Sequence, residues 1–165
     1  MTYERFEDLP VWQAAMRLAE RVFALTEDRS FASKGDMRSQ VQREAISVGN
    51  NVAEGFERGT TQELLTFLYI ARGSAGEVRS MLLLAERLPG FEHLKSEISN
   101  LKSQAEEISR QLRGWANSLQ NSTVTGQRYL NDESRRTDQQ QRRADEFWQK
   151  LETEYRQRLE GQTEV

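Results

Sequence analysis

Two long segments of this chain carry apolar residues at alternating spacings of four and three without a miss. In one, Leu64, Leu68, Ala71, Ala75, Val78, Leu82 and Ala85 follow this rhythm; in the other, Leu94, Ile98, Leu101, Ala105, Ile108, Leu112, Trp115 and Leu119. A mean spacing near 3.5 keeps one stripe facing a neighbour only when helices pack nearly parallel or antiparallel. Two further segments show the same habit more loosely. Trp12, Ala15, Leu18, Ala19, Val22 and Leu25 mark a helix over residues 9–28. Val41, Ala45, Val48, Val52 and Phe56, widened by Ile46 and Ala53, mark another over residues 36–58. Only two prolines interrupt 165 residues. Short connections force neighbouring helices to alternate in direction, so the pattern predicts an all-α, antiparallel up-down-up-down four-helix bundle over residues 1–120.

The boundaries have local signals. Asp8 reads as an N-cap before Pro10, whose missing N–H costs nothing in a first turn. Gly59 reads as the stop of the second helix. Thr60 with Glu63 three residues later reads as a capping box for the third, and Pro89-Gly90 ends it. The fourth helix spans residues 92–120. Residues 27–36, polar and containing Gly35, read as a connection. A second line on the third helix, Phe67, Ile70, Ser74, Glu77, Met81, Leu84 and Leu88, runs beside its first stripe. Two stripes place that helix either at the centre of the bundle or against another subunit.

After residue 120 the composition changes. Residues 121–128 read as a linker, and residues 129–165 as a polar amphipathic helical tail. In that tail Phe147, Trp148, Leu151 and Tyr155 form a partner-binding face.

Composition excludes several chemistries. There is no cysteine and a single histidine, His93. Thiolate metal sites and cysteine nucleophiles are thereby ruled out, and no Glu-x-x-His pair supports a di-iron bundle site. No phosphate-loop, dinucleotide or H-E-x-x-H motif occurs. The chain is expected to be a non-enzyme without cofactor or metal. With no apolar run long enough for a membrane span and no signal peptide, the expected location is the cytoplasm. Gly73-Ser74-Ala75-Gly76 falls in mid-helix and suggests close helix approach.

Polar residues on otherwise apolar faces are candidates for structural or interface roles: Arg43, Asn51, Glu54, Ser74 and Glu77. The two carboxylates call for arginine partners such as Arg43 or Arg58, since an unpaired buried charge is costly. Net charge is −3, which does not mark a nucleic-acid binder. The cations are, however, nineteen arginines against four lysines, a bias that suits bidentate contacts with carboxylate or phosphate. Lys95, Lys102, Arg110 and Arg113 share a face of the fourth helix and Arg72 and Arg79 a face of the third. Arg17 and Arg21 are one turn apart on the first. The six on the third and fourth helices are the candidate phosphate contacts.

Three blocks carry a family resemblance. Phe6 to Gln13 (FEDLPVWQ) is similar to an F-x-D-L-x-V-W-Q opening. Gln40 to Gly55 (QVQREAISVGNNVAEG) resembles Q-L-R-R-A-x-x-S-I-P-x-N-I-A-E-G, with Gly49 where proline is usual. Phe67 to Val78 (FLYIARGSAGEV) resembles F-L-x-I-A-x-G-S-x-x-E-L. Together they resemble the four-helix-bundle family of 23S rRNA intervening-sequence proteins, related to the accessory variability proteins of diversity-generating retroelements. The resemblance implies a homopentameric ring, and for the retroelement relatives association with RNA or DNA and a reverse transcriptase. The leading expectation is therefore a non-catalytic oligomeric accessory protein that associates with nucleic acid. The alternative is a protein–protein scaffold that recruits a partner through its C-terminal helix.

Overall fold

The computed structural model describes residues 3–121 together with helical positions 143, 144, 147 and 149. The chain divides into two units, residues 1–128 and residues 129–165. The first is an all-α bundle of four long helices, with no strand among the described residues: α1 (Pro10–Thr26), α3 (Gly35–Glu57), α4 (Thr61–Ala85) and α5 (Lys95–Gln120). A four-residue helix, α2 (Arg29–Ala32), lies in the first connection. α1 packs on α3 and α5, and α4 packs on α3 and α5, so each long helix has two neighbours.

The four–three stripes point inward. Leu18, Val22, Val48, Val52, Leu64, Ile98 and Leu112 are fully buried, and each such side chain contributes about 1.5–3 kcal/mol by leaving water. Trp12 is half-buried and stacks edge-on to Phe6, with ring centroids 5.2 Å apart. α3 and α4 approach so closely at Gly55 that a Cβ there would lie 2.7 Å from the Phe67 Cβ.

Several ends differ from the sequence expectation. Leu9, not Asp8, occupies the N-cap of α1 and offers no side-chain bond, because Asp8 closes a 3-10 turn over Phe6–Asp8. Gly59 does not stop α3 in a left-handed conformation. The helix ends because Arg58 turns extended, at φ −71° and ψ 142°. Thr60 does cap α4: its Oγ1 accepts from the Glu63 N–H at 3.2 Å and donates to Glu63 Oε2 at 2.8 Å.

The connection over residues 27–36 holds core structure. Asp28 caps α2 by accepting from the Ser30 N–H at 2.8 Å, and buried Phe31 meets buried Phe91 edge-to-face at 4.9 Å. Across the same junction Ser30 Oγ donates to the Gly90 carbonyl at 2.7 Å, and His93 Nε2 lies 3.0 Å from Asp28 Oδ2. Gly90 adopts φ +92°, the conformation that glycine tolerates and other residues resist. The imidazole, followed by the Ser30 N–H, holds the Asp28 carboxyl well below its ordinary value. These bonds tie the α1–α3 connection to the α4–α5 connection at one end of the bundle.

Candidate interaction surfaces

The polar residues singled out on α3 and α4 separate into two groups. Ser74 is 5% exposed and its hydroxyl lies 2.9 Å from that of Ser47. Asn51 Nδ2 donates to the Ser47 carbonyl at 2.8 Å and to its hydroxyl at 3.0 Å. This is a satisfied seam between two helices, the usual state of buried polar groups. Glu54, by contrast, is exposed and pairs with Arg58 at 2.6 Å. That arginine also reaches Glu63 at 3.8 Å and sits over the Phe67 ring, 5.2 Å from its centroid. Glu77 and Arg43 are exposed, and neither has an ion-pair partner among the described residues. Arg58 thus takes the role open to Arg43 or Arg58, and no paired carboxylate site forms. Among the described residues no group of three His, Asp or Glu side chains is placed to hold a metal ion.

The basic candidates are largely spoken for. Lys102, with only 19% of its side chain exposed, donates to Glu86 Oε2 at 2.5 Å across the α4–α5 seam. Arg79 lies 3.8 Å from Glu106 across the same seam. Arg110 pairs with Glu107 one turn earlier on α5, and this contact with that of Gln111 holds the Glu107 carboxyl below its ordinary value. Three candidates, Arg72, Arg113 and Lys95, have no ion pair among the described residues. The seam sets their level. Glu86 stands opposite Lys102, Arg79 opposite Glu106, and Tyr69 receives a bond from Gln120 Nε2 at 2.9 Å. Stepping two turns along both antiparallel helices from Arg79 and Glu106 brings Arg72 level with Arg113.

The outward side of α4 carries the three most exposed large apolar side chains among the described residues of the bundle, Leu84, Ile70 and Tyr69, ahead of Ile46 on α3 and Phe23 and Met16 on α1. Within a sector of about 120°, at about 100° per residue, it presents Thr66, Tyr69, Ile70, Gly73, Gly76, Glu77, Ser80 and Leu84, all exposed. Ile70 is 46% and Leu84 50% exposed. The second apolar line read from the sequence is therefore split: Ser74 turns into the α3 seam, Phe67, Met81 and Leu88 are half-buried, and Ile70, Glu77 and Leu84 reach solvent. Gly73 and Gly76 do not serve close helix approach among the described residues, where a Cβ at either would meet nothing within 4 Å. A glycine inside a helix costs roughly 0.5–1 kcal/mol relative to alanine, and this surface bears that cost twice.

In the tail, Phe147 is helical and 59% exposed; Trp148, Leu151 and Tyr155 lie outside the described residues. No helix among the described residues is long and apolar enough to cross a membrane.

Fold and surface together define a helical bundle whose α4 presents exposed apolar side chains, with no metal-holding cluster among the described residues. Residues 7–114 match the family described as 23S rRNA-intervening sequence protein, and the chain belongs to that family. Among solved structures it is similar to a protein of unknown function of the S23 ribosomal protein family from Bacteroides thetaiotaomicron. The two share 21% identity with a TM-score of 0.56, over 64% of this chain and 97% of that one. At that identity the likeness concerns the fold. Comparison with curated proteins gives no match.

Proposed function

We propose that this protein is a non-catalytic scaffold that works as a homo-oligomer, its copies meeting through the outer face of α4. The observation that carries the reading is the apolar exposure on that face, greater than that of Met16 and Phe23 on α1 or Ile46 on α3. Ile70, Leu84 and Tyr69 stand beside two outward glycines, with Glu77 as the one charge in the sector. Exposed apolar groups gathered on one helix mark an association surface, and small residues let a second backbone come close. The family resemblance read in the sequence favours a pentameric ring. Light scattering at micromolar protein tests the reading. It expects a mass several times that of one chain, and a monomer mass overturns it.

A second reading, association with RNA or DNA beside a polymerase-type partner such as a reverse transcriptase, is favoured by one observation. Arg72 and Arg113 share a level of the α4–α5 seam, and neither has an ion pair among the described residues. Arginine suits phosphate by its planar donor fork. Lys102, Arg79 and Arg110 already face carboxylates, so the surface offers fewer phosphate contacts than the sequence suggests. Binding of this kind weakens with salt, with a slope of about 0.9 per duplex phosphate neutralised or 0.7 on a single strand. Replacing Arg72 and Arg113 with glutamine is expected to flatten that slope; an unchanged slope removes these residues from the reading.

A further inference from the structure

Between α1 and α5 lies a half-open cleft of about 440 Å³, in the range of small-molecule sites. Its existence follows from the packing: α1 and α5 are the most loosely apposed of the four neighbouring helix pairs, and α1 offers only the methyl group of Ala14 where a larger side chain would fill the gap. Ala14 and the buried side of Ile108 give the cleft an apolar floor, and Gln104 and Gln111 line it from α5.

The charges around it do not balance. Arg21 is satisfied: its Nε and Nη2 both donate to Glu97 Oε1, at 3.1 and 2.7 Å, across one end of the cleft. Glu107 is satisfied by Arg110 and by Gln111 Nε2, the latter at 3.3 Å. Arg17 also lines the cleft, one turn before Arg21, and has no ion pair among the described residues. One positive charge with a bidentate donor fork is thus left above an apolar floor.

The geometry points to a binding site for a small amphiphilic carboxylate, a molecule with one anionic head for Arg17 and a short aliphatic body for the floor. A guanidinium and a carboxylate match in shape and charge. Neither half suffices alone. Acetate has no body to cover Ala14 and Ile108, and a neutral alcohol leaves Arg17 uncompensated. The site does not depend on self-association through α4.

Calorimetric titration of the full chain with sodium octanoate tests this, with acetate, octanol and inorganic phosphate as comparison ligands. Octanoate is expected to saturate with a Kd of about 1 mM or tighter, the range for a fragment of its size, and the three comparison ligands to bind at least about tenfold more weakly. Arg17→Gln removes the charge, and Ala14→Leu fills the floor while keeping a good helix former in α1. Each is expected to weaken octanoate binding by about tenfold or more. Arg87→Gln, at an exposed arginine outside α1 and α5, is expected to leave it unchanged. Circular dichroism and melting establish that the variants fold. The assignment is overturned if octanoate fails to saturate at about 10 mM, if phosphate binds as well as octanoate, or if folded Arg17→Gln and Ala14→Leu both bind it like wild type.

Discussion

α4 and α5 obey the same inward rule and opposite outward ones. Both bury a four–three line without interruption, from Leu64 to Ala85 and from Ile98 to Leu112. Outside, α5 shows Ser99, Asn100, Ser103, Glu106, Glu107, Arg110 and Asn117, every one polar. α4 shows isoleucine, leucine, tyrosine and glycine. The difference separates two demands on a sequence. Folding a bundle needs one stripe per helix, and α5 carries just that. α4 carries more than its own fold requires, and the proposed association between copies would account for that surplus.

The inward likeness is broken first and hardest by cutting the stripes. Leu68→Ala and Leu112→Ala each remove a fully buried side chain and are expected to cost about 2–5 kcal/mol in chemical denaturation. Similar losses from the two helices would support equal inward roles.

Next in size is a contrast between glycines. Gly55→Ala drives a Cβ to 2.7 Å from the Phe67 Cβ and is expected to destabilise the bundle by about 1–3 kcal/mol. Gly73→Ala meets nothing within 4 Å and is expected to raise the stability of the isolated bundle by about 0.5–1 kcal/mol. If it also lowers the mass measured by light scattering, the residue is glycine for the sake of a neighbour.

The outward contrast is sharpened by charge. Ile70→Arg combined with Leu84→Arg is expected to reduce any assembly to monomers with helicity unchanged. Arg110→Gln with Arg113→Gln on α5 is expected to leave the mass as it was. Equal behaviour of the two pairs would erase the distinction between the faces.

The smallest expected effect lies in acid. Arg110 holds the Glu107 carboxyl below its ordinary value. A depressed carboxylate adds stability above its unfolded value of about 4.3, and that stability is lost as pH falls through the folded value. Melting curves from pH 7 down to 2 are expected to show a shallower acid limb for Arg110→Gln, the two proteins converging at the lowest pH. Because the pair is fully exposed, the change is small. A parallel offset at all pH values would show that Arg110 acts through packing instead.

The long helices were legible because each repeats its period for several turns, which leaves the ends uncertain and the existence of the helix plain. α2 was not legible: four residues are too few to show a period, and Phe31 sits among polar neighbours that read as a loop. The Ser47–Ser74–Asn51 seam was half visible, through Asn51 and Ser74 standing where apolar residues were due. A single-helix wheel groups Lys102 with Arg113 by angle and is blind to the carboxylates of the next helix. Glu86 and Glu106, close in space to their partners and distant or unaligned in sequence, are what a one-dimensional reading lacks. The glycines of α4 misled for a related reason: spacing shows that they share a side of the helix and is silent on whether that side faces in or out.

The short connection between α3 and α4 has a kinetic consequence. Only Arg58, Gly59 and Thr60 separate these helices, and the two approach closely at Gly55 and Phe67. Closing a loop costs entropy that grows with its length, so this hairpin gains its contacts for the least loss of chain freedom. α1 has to cross residues 27–34, and α5 residues 86–94, before either packs. The order of assembly is therefore written into the connections. The α3–α4 hairpin is the natural nucleus, and the outer helices condense onto it, as expected where local contacts set the folding rate.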